Sequence, residues 1–301
     1  MQTATRVDCL TCGFTSDWLR VDQATVASSE RQFEHERFTV WRCPGCGCIH
    51  ALDDVDLDRY YRRYGLHQLA LGKMERVFYR NQLRFLRRHV RFGPADPVLD
   101  FGCGGGLFVQ FLRERGWRQV AGWDPYVAAY RDRRVLERRY RLVLSTDVID
   151  QVPSPVEHLE AACALVAPGG FLYLQLADAD RVDLNRPRAS RQVLHQPYRR
   201  HLLTTSWVTA ALQGHRFEPV TRAYQPYFHT RIPFLNLPAL DHYLDRYGGL
   251  VALNEPYKWS ALRRPGFWYR GLLGGFVPRT DEVQLVFRRP AEPAASPSAS
   301  P

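Results

Sequence analysis

An α/β fold built on a doubly wound parallel sheet is predicted by three features of this 301-residue chain. The apolar run Val98-Leu99 ends in Asp100-Phe101, and a turn with glycines at Gly102, Gly104 and Gly106 leads into a helix-like segment. A second apolar run, Val120-Ala-Gly-Trp123, stops at Asp124, about two dozen positions after Asp100, as a βαβ unit requires. Strand-like and helix-like segments then keep alternating: Tyr140–Thr146, Pro155–Val166 and Phe171–Leu176.

In the first βαβ unit the glycines let a ligand approach the backbone, and a carboxylate at the end of the next strand can grip ribose hydroxyls. Alone, that layout would also suit a dinucleotide. Its wording, Val98-Leu-Asp-Phe-Gly-Cys-Gly-Gly-Gly106, resembles motif I of the class I S-adenosylmethionine-dependent methyltransferases. In that family the first strand ends in Asp or Glu and the glycines alternate. Downstream, Tyr140–Val152, the helix-like Pro155–Val166, Ala167-Pro-Gly-Gly170 and Phe171–Leu176 resemble the family's fourth strand, its following helix and its fifth strand. The resemblance implies a seven-stranded Rossmann-like sheet over 96–289 and S-adenosylmethionine as cofactor. It also implies that Asp100, Gly102, Gly104, Gly106 and Asp147 contact the cofactor, with Asp124 on the ribose. Two departures stand out. Only about twenty residues separate Asp124 from the fourth-strand motif, so Val135-Leu136 is all that could remain of a third strand and no adenine carboxylate is assigned. Gln151 stands where many members have His, and Gln takes no proton, so any general base must lie elsewhere.

Hydrophobic content of 45% and charged content of 24% are ordinary for a globular chain. The formal net charge is +10, yet Lys73 and Lys258 are the only lysines, and doublets such as Arg138-Arg139 are scattered among acids. That reads as solvated helix faces rather than a nucleic-acid tract. No leader-like apolar stretch follows the first residues, and no apolar run reaches spanning length, so a cytoplasmic location is expected. Phe267–Val277 is the most apolar piece outside the sheet; it is expected to pack on the core, with a pocket wall or a membrane surface as alternatives.

Five of the seven cysteines precede residue 49. Cys9-x-x-Cys12 and Cys43-Pro-Gly-Cys46, each followed by glycine, have the layout of two zinc knuckles, so 1–52 is predicted to be a ribbon with a structural, four-thiolate zinc. A disulfide fits less well in a chain expected to be cytoplasmic, and a redox C-x-x-C would sit at a helix start and would not come in pairs. Cys48 could replace Cys46, and His35 and His50 are further possible ligands. The connector 53–95, rich in Asp and Tyr at Asp53–Tyr64, is expected to be helical and, as its likeness to the connectors of bacterial sugar methyltransferases implies, to cap the substrate. Ribbon, connector and cofactor fold in this order resemble bacterial sugar and natural-product methyltransferases over the front two thirds of the chain.

In the back third, Leu203–His215 reads as a helix closed by Gly214, and Phe217–Tyr224 and Glu282–Arg288 read as strands. The segment 225–281 between them is expected to form an aromatic-rich lid, and 290–301 a disordered tail. His195-Gln-Pro-Tyr-Arg-Arg-His201 follows the fifth strand. His201 is the first candidate for general base, with His195 and Tyr198 behind it, because methylating oxygen or carbon requires a proton to leave. The expected reaction is methyl transfer to a small hydroxylated metabolite, a sugar nucleotide or a natural-product intermediate, on O or C. The alternatives are an RNA methyltransferase that uses the ribbon as a clamp and a fold that has lost catalysis and serves as a binding subunit.

Overall fold

The computed structural model describes residues 6–62, 64, 69–187, 190–278 and 280–291. Residues 292–301 of the expected tail lie outside this set. The cysteine-bearing end is built from short antiparallel strands. β1 (Arg6–Asp8) pairs with β2 (Thr15–Asp17), while β3 (Asp22–Ala27), β4 (Arg37–Arg42) and β5 (Ile49–Ala51) run side by side. The connector supplies α1 (Leu57–Tyr61), capped by the Asp56 carboxylate, and the long α2 (Lys73–His89).

The central sheet follows. β6 (Val98–Phe101), α3 (Leu107–Arg113), β7 (Val120–Trp123), β8 (Tyr140–Thr146), α4 (Pro155–Leu165) and β9 (Val166–Ala177) form the parallel half. Every residue of β6 is buried, which is why it reads as a continuous apolar run rather than an alternating one. After β9 come α5 (Arg191–Leu194), β10 (His201–Leu202), α6 (Thr205–Gly214) and β11 (Glu218–Ala223). The lid region holds α7 (Leu237–Tyr247) and α8 (Pro265–Leu273), and β12 (Glu282–Arg288) closes the sheet antiparallel to both β9 and β11. The strand order is β11-β12-β9-β8-β6-β7. Leu86, Val109 and Leu112 of α2 and α3 cover one face of this sheet; Leu159, Val208 and Leu212 of α4 and α6 cover the other.

The sheet has six strands among the described residues, not the seven expected. Val135 and Leu136 sit in the 3-10 helix Arg133–Glu137, which the Asp132 carboxylate caps. The link from β7 to β8 is too short for a strand flanked by two crossovers, each of which takes roughly a dozen residues. The cysteine-bearing end is also not a detached module. β10 pairs with β5, setting His201 opposite His50 and Leu202 opposite Ile49, so one four-stranded sheet joins the cysteine-bearing segment to residues that follow β9. Cys48 lies in the same core as Leu174 and Val208.

The lid has a small core of its own, Tyr243, Leu244, Ala252, Ala261 and Phe267. It is tied to the β3–β4 connection: the Arg31 N–H donates to the Gly248 carbonyl (3.2 Å) and the Leu250 N–H to Glu30 Oε1 (2.9 Å). The burial expected for Phe267–Val277 is corrected here. Only Phe267, Gly271, Gly274 and Gly275 are buried, because α8 lies on the outside of α7 and turns a narrow stripe inward.

Candidate functional site

Gly102, Gly104 and Gly106 all adopt positive φ, the region open to glycine at no steric cost. A Cβ on Gly106 would overlap the Tyr130 phenol, and one on Gly102 would strike Val148. Asp124 latches this turn to the end of β7. Its Oδ2 accepts the Gly104 N–H (2.9 Å), and its Oδ1 accepts the N–H groups of Tyr126 (2.8 Å) and Val127 (3.2 Å). Asp100, at the end of β6, accepts no hydrogen bond from the described residues. Burial, with the nearby Asp124 charge, pushes its carboxyl up to about 7.

Asp100, Gly102, Gly104 and Asp124, but not Gly106, border a cavity of about 560 Å³, inside the range of roughly 300–1,000 Å³ typical of small-molecule sites. The connector contributes Tyr61, Tyr64, Phe78 and Tyr79, and the lid contributes Tyr227, Phe228, Leu237, Leu240 and Leu244. Tyr61 stacks on Tyr126 (5.4 Å, 14°) and donates to Gln151 Oε1 (2.8 Å), while Gln151 Nε2 donates to the Asp147 carbonyl (2.6 Å). The residue that departs from the family pattern thus fastens the connector over the glycine turn.

Beneath this wall Arg199 is almost fully buried among three carboxylates. Its Nε lies 2.6 Å from Asp150 Oδ2, and its Nη2 lies 3.3 Å from Glu282 Oε1 and 3.5 Å from Asp147 Oδ1. Asp147 also accepts from Gln175 Nε2 (2.9 Å). One cation cannot offset three buried anions. Burial therefore holds Asp147 well above its ordinary range, with Glu282 adding to the shift and Arg199 opposing it, and raises Asp150 as well. Burial, opposed by Arg199, pushes Glu282 up to about 7. Its Oε2 is buried without a hydrogen-bond partner.

The three candidates after β9 go to three different places. His201 is not on the cavity wall: its Nδ1 meets His50 Nδ1 (3.0 Å) and its Nε2 meets the Pro153 carbonyl (3.2 Å). Tyr198 is fully buried, donates to the Tyr60 carbonyl (3.2 Å) and stacks on His195 (5.0 Å, 22°). His195 does border the cavity. Ser29 Oγ holds its Nδ1 at 2.7 Å, and its Nε2 is buried without a partner. Burial, then the Arg199 charge, pushes its ring down to about 3, so it is neutral at physiological pH. Sequence reasoning passed over Arg199, Glu282 and Ser29. The adjacent acids Asp281-Glu282 at the start of the last strand were the only hint.

At the other end, the sulfurs of Cys9, Cys12, Cys43 and Cys46 all lie within 4.8 Å of one another. Cys9 and Cys46 are 3.6 Å apart, and Cys12 and Cys43 are 3.7 Å apart. A tetrahedron with metal–sulfur bonds of about 2.3 Å has edges of about 3.8 Å, so the four fit one metal. Gly13 and Gly47 take the left-handed turns that end each knuckle. His50 Nε2 (3.2 Å from Cys9 Sγ) and the Gly45 N–H (3.3 Å from Cys43 Sγ) supply hydrogen bonds around the thiolates. Cys48, whose thiol lies beside Cys46 and 3.9 Å from Thr204 Oγ1, falls outside the four-sulfur group, and exposed His35 pairs with Glu34. Neither belongs to the cluster. Thr204 also donates to the Cys46 carbonyl (3.2 Å) and Trp207 Nε1 to the Thr11 carbonyl (3.1 Å), joining the thiol cluster to the start of α6.

Comparison with known proteins bears on this geometry. The chain is 30% identical over 114 residues to the ubiquinone biosynthesis O-methyltransferase of Nitrosospira multiformis, covering 31% of this chain and 47% of that protein. It is 29% identical over 103 residues to the enzyme of the same name from Leptothrix cholodnii, covering 26% and 42%. The chain thus spans about half the length of the curated relatives it matches. Among solved structures, the S-adenosylmethionine-dependent methyltransferase of Mesorhizobium loti superposes with a TM-score of 0.42 at 14% identity, over 69% of this chain and 98% of that one. The SAM-dependent methyltransferase of Archaeoglobus fulgidus gives 0.44 at 12%, over 76% and 99%. The profile of a methyltransferase domain matches residues 72–249, more than half of the chain, and the chain belongs to that family.

Proposed function

We propose that this protein transfers the methyl group of S-adenosylmethionine to a hydroxyl of a small metabolite with an apolar, ring-bearing body. One observation carries the reading. A single cavity brings together the glycine turn with Asp100 and Asp124, an aromatic and aliphatic wall, and two buried polar atoms without hydrogen-bond partners, His195 Nε2 and Glu282 Oε2. The cofactor supplies an activated methyl group, so the chain has to position the acceptor and remove its proton. Asp100 and the turn at Gly102, Gly104 and Gly106 would hold the methionine part. Asp124 would take the ribose hydroxyls, and Asp147 would support the floor beside Arg199.

Of the two expected acceptor classes, the wall favours the natural-product intermediate. Arg199 is the only Lys or Arg on it among the described residues, and three carboxylates already neutralise it. The diphosphate of a sugar nucleotide would find no cation. The relatives named O-methyltransferases support oxygen as the acceptor atom. His195, neutral and held by Ser29, would accept a hydrogen bond from the acceptor hydroxyl. Glu282, titrating near neutrality, would take its proton as the carbon–oxygen bond forms and the carbon–sulfur bond breaks. Zinc, bound by Cys9, Cys12, Cys43 and Cys46, would be structural, since four thiolates leave it no open position.

The test is conversion of S-adenosylmethionine to S-adenosylhomocysteine in the presence of a panel of phenolic and alcoholic acceptors. At saturating cofactor, kcat should rise with pH through about 7. Glu282→Gln should remove that limb and cut kcat roughly a hundredfold. His195→Ala should act mainly on the acceptor's KM. A flat wild-type profile across neutrality would return the base role to His195, and absence of both cofactor binding and product would sink the whole reading.

A further inference from the structure

The outer side of the lid carries a surface that neither the fold nor the cavity uses. α8 turns Phe267 and Gly271 inward, one helical turn apart. Its other side presents Tyr269, Leu272 and Leu273, continued by Phe276 in the following 3-10 turn, at spacings of i, i+3, i+4 and i+7. An apolar stripe with that spacing ordinarily faces a core. Here Tyr269 is 66% and Phe276 68% exposed, and Trp259, on the neighbouring 3-10 turn, is 73% exposed. The charge beside the stripe is mostly positive: residues 256–278 include Lys258, Arg263, Arg264 and Arg270 and no Asp or Glu, with Lys258 paired to Glu255 just outside them (3.1 Å). Arg263 and Arg264 form no salt bridge with the described residues.

Aromatic rings beside an aliphatic stripe, with the unpaired Arg263 and Arg264 next to them, match the headgroup zone of a bilayer. There the rings sit at the polar–apolar boundary and the cations meet lipid phosphates. We propose that this face docks on an anionic lipid surface, with α8 lying in the plane of the interface. No helix among the described residues is long and apolar enough to cross a membrane, so the contact would be superficial. A second copy of the chain suits the face less well. A two-fold contact repeats the same patch on both partners and would set Arg263, Arg264 and Arg270 against their own copies. The position within the lid gives docking a consequence. α7 packs against α8 on one side, while its Leu237, Leu240 and Leu244 border the cavity on the other, so the lipid surface would lie one helix away from the substrate wall.

The test uses the full chain and sedimentation with vesicles of phosphatidylcholine alone or mixed with phosphatidylglycerol. Binding should be at least about tenfold tighter to the anionic vesicles, weaken with added salt, and shift tryptophan emission to the blue as Trp259 and Trp268 leave water. The triple variant Tyr269→Ser, Leu272→Ser, Phe276→Ser should lose binding about tenfold or more, and Arg263→Glu with Arg264→Glu should abolish the anionic preference. Both variants should keep wild-type affinity for S-adenosylhomocysteine, which reports an intact fold. Absence of vesicle binding, or binding that both variants retain, overturns the proposal. A dimer that the triple variant dissociates, without vesicle binding, assigns the face to a second copy and overturns it equally. Because no turnover is measured, such failure leaves the methyl-transfer reading untouched.

Discussion

Replacing Arg199 by Met removes the one cation from a buried group of three carboxylates while keeping most of the side-chain volume. Asp150 is fully buried at 2.6 Å from the guanidinium, and Glu282 and Asp147 lie at 3.3 and 3.5 Å. Removing one partner from such a site costs about 3–5 kcal/mol, because the remaining charge is left without compensation. For a chain of 301 residues, with an unfolding entropy of about 2.1 cal/mol/K per residue, that corresponds to a fall in Tm of roughly 5–8 °C. The loss depends on pH in a defined direction. All three carboxyls titrate higher in the folded protein than in the unfolded chain. The folded state therefore binds more protons, and stability falls as pH rises from about 4, the unfolded value, through about 7, the folded value of Glu282. Without Arg199 the folded values climb further, so the gap between variant and wild type widens toward alkaline pH. Below about 4 the carboxyls are neutral in both states and the wild type carries an uncompensated guanidinium, so the gap shrinks or reverses. Urea titrations followed by tryptophan fluorescence, at mildly acidic and mildly alkaline pH, measure both arms. Arg199→Lys keeps the charge but not the fork that reaches three partners, and should fall between the two. Unfolding of the Met variant within about 1 kcal/mol of wild type at alkaline pH would refute the reasoning.

Asp124→Ala should weaken S-adenosylhomocysteine about tenfold or more by calorimetry, since charge-assisted hydrogen bonds contribute roughly 1.5–3 kcal/mol. Wild-type affinity in that variant would remove Asp124 from the cofactor site. Affinity should also rise with pH through about 7, because a ligand carrying an aminium group favours ionised Asp100; Asp100→Asn should bind more weakly and without that slope. One zinc per chain is expected by elemental analysis, lost on replacing Cys9, Cys12, Cys43 or Cys46 by Ser but kept in Cys48→Ser. Because Cys46 and Thr11 are tied to Thr204 and Trp207, chelation should also speed proteolysis within residues 195–207, and unchanged cleavage there would show the two ends to be independent.

The glycine turn, the acids that end two strands and the paired C-x-x-C knuckles were all readable without coordinates. Each is a local device: a positive φ demands glycine, a strand end places its next residue, and a two-residue gap sets two thiolates on one knuckle. Tertiary structure decided what depends on residues distant in sequence. His195 and His201 are six positions apart and look interchangeable on paper. The pairing of β10 with β5 takes His201 to His50, while Ser29, from the β3–β4 connection, turns His195 to the cavity. Glu282 became a candidate base only because burial beside an overcommitted Arg199 moves its titration to neutrality, a property of surroundings rather than residue type. Likewise the apolar run at Phe267–Val277 could not announce which way it faced. Periodicity reports that a helix has an apolar side, and only packing against the rest of the chain decides whether that side is covered.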